Sequence, residues 1–295
     1  ELSSFQLEDA ETPCLDVSVL LNFAPDHLDR HGNMESYWSA KSNILRICKA
    51  GGTIVLNNDD EKVRSADSLA NDATVVRFGS SEKSDCVIRK DVLELDDDQF
   101  SFANSDFIGR HSMSNFAAAM LAASAVGITP KRTGKQLAAA TPLPSRLRRL
   151  ANTRDWIVYN DSKSTTVASS IAAVDACFQK HKEPVVLILG GSDKGETYAP
   201  LKEKLAANEI SKVYAYGSAR EKIAEAIGEE VRCNEVFKSC VESAILENPN
   251  SVVLLSPACA SFDQFKNFLH RGDVFVETVA ALIAKQNNEV HNATG

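Results

Sequence analysis

Beyond residue 142 the chain alternates short apolar runs of β-formers with helical segments, and no other feature restricts the fold as much. Val185-Val-Leu-Ile-Leu, Val213-Tyr-Ala-Tyr and Val252-Val-Leu-Leu are apolar without alternation. Such runs read as strands buried on both faces. Helical segments fall near residues 167–178, 201–207, 219–227, 236–247 and 273–285. Strands alternating with helices imply an α/β fold with a parallel sheet covered on both sides.

The first half carries the same rhythm with an interruption. Residues 14–22 read as a buried strand, followed by a polar turn and a helix over 34–50 with Tyr37, Ile44, Leu45 and Cys48 on one face. Gly51 and Gly52 are expected to end that helix, and residues 53–56 to form the next strand. Asn57-Asn-Asp-Asp then caps a helix through residue 69, and 74–78 is another strand. Alternation over 85–107, split by Asp96-Asp-Asp, signals a β-hairpin. An Ala-rich helix to about Val126 and a shorter one over 133–140 follow. Pro142 and Pro144 disfavour helix at the residues before them. A junction there divides the chain into domains at 1–142 and 143–295.

Residues 156–166 read as strand, polar loop, helix. In open α/β sheets ligands bind at the carboxyl ends of strands. The loop carries Asp161, Lys163 and Thr165, with Arg146 just upstream. These groups suit an anionic ligand in an interdomain cleft; the alternative is a capped helix start with solvated charges. Gly190-Gly-Ser-Asp-Lys-Gly follows the next strand, where backbone N–H groups and Lys194 suit an anion. Ser261 follows the last strand, either as a carboxylate contact or as a helix cap. Three strand ends in one domain thus offer anion-binding groups.

In the first domain His27 sits in a turn with Asp26 and Asp29, suited to a metal or phosphate or simply to the surface. Lys41 lies within a helix, where a lysine is ordinarily a solvated charge. His111 and Asn115 open the Ala-rich helix and suit a nucleotide base, with an N-cap as the alternative for Asn115. His181, His270 and His291 read as surface residues.

A net charge of −8 without a basic stripe argues against nucleic acid as the main partner. Seven scattered cysteines without a CxxC pair point to reduced thiols in a cytoplasmic setting. No apolar run reaches membrane-spanning length, and no signal-peptide pattern opens the chain. Glu1 replaces an initiating methionine in a stretch that reads as the interior of a fold, so a fragment is expected.

Taken together, Asp-His-Leu-Asp-Arg-His-Gly with Tyr-Trp-Ser-Ala-Lys-Ser, Gly-Arg-His-Ser-Met-Ser-Asn, Leu-Pro-Ser-Arg, Asn-Asp-Ser-Lys-Ser-Thr and Leu-Ser-Pro-Ala-Cys-Ala-Ser-Phe-Asp-Gln-Phe resemble the Mur ligases of peptidoglycan synthesis. Within that family the D-glutamate-adding branch fits best. The resemblance implies a partial P-loop-type ATPase domain, lacking its phosphate loop, followed by a Rossmann-like domain that binds the amino acid. It implies ATP-dependent amide bond formation between UDP-N-acetylmuramoyl-L-alanine and D-glutamate through an acyl phosphate, by a cytoplasmic enzyme that is monomeric at full length. It assigns His27, Lys41 and Lys163 to catalysis, and Glu1, His27 and a carbamylated Lys41 to two Mg²⁺ sites. His111, Asn115, Arg146 and Asp161 would contact ATP; Thr165, Lys194, Ser261 and the backbone near Phe268 would hold the D-glutamate carboxylates. Ser112 departs from the asparagine usual near the adenine. The family's Gly-Lys-Ser/Thr loop is not in this stretch, so these residues alone are expected to be inactive. A non-catalytic binding module of the same fold, or a ligase with another acceptor, are the alternatives.

Overall fold

The structure, a computed structural model, describes residues 1–294 apart from 71, 154, 155 and 229, and without the side chains of 29, 152 and 287–294. The expectations for Asp29 and His291 therefore lie outside the described residues. The chain divides into two compact units, Glu1–Ser105 with Arg110–Ala140, and Asp106–Gly109 with Thr141–Gly295.

In the first unit α1 (Ser4–Glu8) precedes β1 (Leu15–Leu20). Next come α2 (Leu28–His31), α3 (Met34–Arg46) and β2 (Cys48–Asn57). Then follow α4 (Glu61–Arg64), a 3₁₀ turn Ser65–Leu69 and β3 (Thr74–Gly79). The meander β4 (Cys86–Arg89), β5 (Val92–Leu95) and β6 (Asp98–Ser101) leads to α5 (Arg110–Ala125) and α6 (Pro130–Ala139). The sheet runs β1-β2-β3-β4-β5-β6, parallel through β4 and antiparallel after it. Leu20, Ile54 and Leu56 point to one side, against Leu45, Val63 and Ala66. On α5, Phe116, Ala117, Met120 and Leu121 are buried, and the helix packs on β1, β2, β3 and β4.

Two expectations are corrected here. The helix over 34–50 stops at Arg46, and Cys48 opens β2 instead of extending the helical face. Cys48 pairs with Leu15, the register then slips before Val17 meets Thr53, and Gly51 and Gly52 lie inside the irregular strand. The hairpin over 85–107 is a three-stranded meander, because Lys90 and Asp96 both turn the chain with positive φ, 50° and 53°.

The second unit contains β7 (Arg148–Asn152), β8 (Trp156–Asn160), α7 (Val167–His181), β9 (Val185–Gly190) and α8 (Ala199–Ala206). It continues with β10 (Ile210–Tyr216), α9 (Arg220–Ile227), β11 (Val231–Asn234), α10 (Phe237–Leu246), β12 (Ser251–Leu255) and α11 (Phe268–Thr294). The sheet order is β11-β10-β9-β12-β8-β7, parallel except for the edge strand β7. Along β9, Val185, Leu187 and Leu189 face a core with Val174, Cys177, Leu201 and Ile223; Val186 and Ile188 face the opposite core with Phe237, Val241 and Phe275. Each such side chain contributes about 1.5–3 kcal/mol on full burial, so a one-residue slip, which would exchange the two faces, is strongly disfavoured. Asp106–Gly109 joins this unit through Ile108, buried beside Leu147 and Tyr159. Asp106 also pairs with Arg149 at 3.2 Å.

His181 is not a bare surface residue: its Nε2 lies 3.0 Å from the Tyr159 hydroxyl. All seven cysteines are free thiols. Among the described residues no helix is long and apolar enough to cross a membrane.

Candidate functional site

Strands β9, β12 and β8 are neighbours in the sheet and all parallel. Adjacent strands lie about 4.8 Å apart, so the loops leaving their carboxyl ends emerge side by side. The β8 loop begins at Asn160, whose side-chain oxygen accepts from Ser162 N–H at 3.0 Å and turns the chain. Lys163 N–H donates to Ser145 C=O at 2.9 Å, tying the loop to the Leu-Pro-Ser-Arg segment. The Lys163 ammonium sits 4.4 Å from the centre of the Phe268 ring. Thr166 then starts α7 with a capping box shared with Ser169, an arrangement that satisfies two otherwise orphaned backbone donors.

The β9 loop brings Lys194 against this one, its Nζ donating to Thr165 Oγ1 at 3.4 Å. Asp193 braces the loop: it accepts from Lys222 Nζ at 2.6 Å, from Gly195 N–H and from the Tyr198 hydroxyl. Glu196 accepts from Val167 N–H at 2.8 Å, the first helical residue of α7. The β12 loop is joined to the β9 loop by a two-bond bridge, Ser192 N–H to Ala260 C=O at 2.8 Å and the reverse at 3.2 Å. Ser261 is buried, and its C=O accepts from Phe265 N–H, so it lies ahead of α11 and does not cap it. Lys163, Thr165, Lys194 and Phe268 are thus brought together, with Ser261 next to the bridge that joins the last two loops.

Asp161 lies at the base of the β8 loop. Burial pushes its carboxyl up to about 7, opposed by hydrogen bonds from Ser256, Leu147 and Ser164 and by the charge of Arg146. Ser256 Oγ–H donates at 2.9 Å and Leu147 N–H at 3.0 Å. Since the unfolded value is near 3.8, the folded chain binds the extra proton between those limits, and this contribution to stability falls as pH rises. We expect Asp161→Asn to gain stability relative to the parent on going from about pH 5 to about pH 8. Urea midpoints at both pH values test this; a constant difference would mean that Asp161 is ionised throughout.

In the first unit Lys41 projects from α3 and is half-buried. Burial lowers its pKa, while the charges of Glu1 and Asp26 pull it back up. Lys41 is therefore not a solvated surface charge. His27 turns the chain with φ 54°, its Nε2 3.5 Å from Asp26 Oδ2 and its ring edge-on to Tyr37. Burial, then the Asp26 charge, raises the Tyr37 hydroxyl pKa. Glu1, Asp26, His27 and Lys41 therefore form one cluster. Among the described residues no three His, Cys, Asp or Glu side chains stand ready to grip a metal. Mg²⁺ needs less, since it keeps several waters and takes one or two protein carboxylates; Glu1 and Asp26 fit that pattern.

His111 and Asn115 lie in the first turns of α5 with exposed surface, although partial burial of the imidazole still lowers the His111 pKa. Asn115 lies within the helix and is not its N-cap. Ser112 is buried in the same turn.

The Mur ligase middle domain matches residues 1–123, and the Mur ligase glutamate ligase domain matches residues 145–259. The chain belongs to the Mur ligase family. This Mur ligase is 35% identical to the UDP-N-acetylmuramoylalanine–D-glutamate ligase of Salinibacter ruber, over 96% of the chain and 64% of that protein. It is 34% identical to the ligase of the same name from Koribacter versatilis, over 97% of the chain and 64% of that protein. The chain thus spans about 64% of the length of these curated relatives. Among solved structures, the MurF ligase of Thermotoga maritima, in complex with ADP, superposes with a TM-score of 0.69 at 19% identity, covering 92% of this chain and 63% of that one. MurC from the same organism superposes at 0.66 and 15% identity, covering 90% and 60%. At these identities the likeness is one of fold.

Proposed function

We propose that this Mur ligase, in its full-length form, uses ATP to join D-glutamate to UDP-N-acetylmuramoyl-L-alanine through an acyl phosphate, in the cytoplasm and as a monomer. Residues 1–142 serve nucleotide and metal, and residues 143–295 the amino acid. The observation that carries this reading is the meeting of Lys163, Thr165 and Lys194 beside Phe268, at adjacent strand ends of a unit that matches a glutamate ligase domain. Cationic Lys194 and Lys163 suit a dianionic amino acid, with Ser261 and the backbone near Phe268 as further donors. Lys163 also lies where an acyl phosphate formed beside the amino acid would need a cation.

Arg146 and Asp161 are assigned to ATP, together with His111 and Asn115 of the first unit. Glu1, His27 and Lys41, the last as its carbamate, would hold Mg²⁺, which when bound offsets charge on the phosphate oxygens. Burial of Lys41 supports this assignment, because a depressed pKa leaves more of the free amine that attacks CO₂ and loses a proton on becoming a carbamate.

The test is phosphate release by the full-length protein. Release is expected only when UDP-N-acetylmuramoyl-L-alanine and D-glutamate are both supplied; equal turnover with L-glutamate or meso-diaminopimelate would refute the assignment. Lys194→Ala should raise KM for D-glutamate about tenfold or more, the effect of one lost charge-assisted contact, and leave KM for ATP within about twofold. Equal losses on both would remove Lys194 from the amino-acid site.

A further inference from the structure

Arg271 is the largest side chain that is fully buried in the second unit, at 0% exposure. It lies one helical turn beyond Phe268 on α11. Among the described residues its hydrogen bonds all end on neutral oxygens. Nε donates to Ser162 Oγ at 2.9 Å and Nη2 to Ser162 C=O at 2.8 Å. Nη1 reaches the carbonyls of Gly190, Cys259 and Ala260 at 3.4, 3.1 and 3.3 Å and the Tyr216 hydroxyl at 3.1 Å. One guanidinium therefore touches the loops after β8, β9 and β12 together. Ser162 Oγ–H in turn donates to Phe268 C=O at 2.8 Å, so a relay runs from Arg271 through Ser162 to the first residue of α11.

A buried cation is costly unless paired, and a core staple needs no charge. The cost is explained where an anion comes to the same place.

We propose that Arg271 is a positioning residue of the amino-acid pocket: its guanidinium fixes Phe268, the Ser261 loop and the Lys163 loop in mutual register, and its charge, hydrogen-bonded to no carboxylate among the described residues, stands behind them to favour a doubly negative ligand. This rests on reading the second unit as the D-glutamate site. A purely structural staple makes a different prediction, because it would be indifferent to the charge of the ligand and would act on every substrate alike.

The experiment is a KM comparison in the full-length protein. Arg271→Gln, neutral but still a donor, should raise KM for D-glutamate about tenfold with KM for ATP changed less than about twofold. Arg271→Lys, which keeps the charge and loses the fork, should recover a large part of that loss. Ser162→Ala breaks the relay with little change in volume and should raise KM for D-glutamate several-fold; it serves as the test if Arg271→Gln fails to fold. Parallel rises in both KM values, or a Lys variant no better than Gln, would overturn the proposal while leaving the D-glutamate reading intact. A parent protein that does not saturate with D-glutamate would overturn both.

Discussion

Lys41→Ala is expected to cut turnover of the full-length ligase by roughly a hundred- to a thousandfold, the scale seen when one preorganised charge-stabilising group is lost. The physical ground is the placement of Lys41 on α3, where burial lowers its pKa and two carboxylates oppose that shift. Two chemical states fit such a position. As an ammonium, Lys41 would pair with Glu1 and Asp26 and keep other cations out. As a carbamate it would add a carboxylate-like oxygen to theirs, and the cluster would attract a divalent cation. Substitution separates them. Lys41→Glu carries the anion without needing CO₂, and Lys41→Arg carries the cation without being able to form a carbamate. If the carbamate is the working state, Glu retains more turnover than Arg at saturating Mg²⁺ and ATP. The reverse order would establish the ammonium and remove Lys41 from the metal site.

How much of this was legible in the sequence depends on which force shaped each part. The inner strands β9, β10 and β12 are buried on both faces, so their residues had to be continuously apolar and the pattern could be read directly. The edge strands β7 and β11 were not foreseen. Arg148 and Arg149 of β7 and Arg232 and Cys233 of β11 are exposed, with only Leu150, Ala151 and Val231 turned to the cores, so neither strand shows the continuous apolar run that marks an inner one. The same limit explains α3, whose apolar spacing runs on through Ile47 and Cys48 although pairing with Leu15 claims Cys48 for the sheet. Lys163, Thr165 and Lys194 were visible because a polar loop between strand and helix can be located without coordinates. Arg271 and Ser162 were not, since a charged helical residue and a loop serine ordinarily read as solvated. The burial of that guanidinium depends on three loops distant in sequence. Asp26 was legible beside His27 as part of a polar turn that follows a strand, but its closeness to Lys41 was not, because Lys41 lies in the helix beyond that turn.

Gly190→Ala is expected to destabilise the protein by about 2–6 kcal/mol, combining about 1–3 from backbone strain with about 1–3 from overpacking. Gly190 ends β9 with φ +126°, and a Cβ there would lie 2.1 Å from the Tyr216 carbonyl oxygen and 2.8 Å from its nitrogen. Neither atom can yield, because Tyr216 is held in the β10 ladder. Gly195, four residues further along the chain than Gly191, is the control. Its φ is +84° with nothing within 4 Å of the added carbon, so Gly195→Ala should cost only the strain of a left-handed residue, about 1–2 kcal/mol. Urea unfolding at constant m resolves the difference, and equal midpoints for the two variants would mean that the sheet gives way at Tyr216. The comparison also bears on the proposed amino-acid site. Gly190 C=O is one of the oxygens that Arg271 holds, and the adjoining Gly191 leaves room for Ala260 C=O where a Cβ would sit 2.1 Å from it. A backbone displaced at Gly190 therefore moves the Lys194 loop and the Arg271 staple together. The surviving folded fraction of Gly190→Ala should then show a raised KM for D-glutamate, whereas Gly195→Ala, which disturbs only the loop tip, should leave the Arg271 contacts in place.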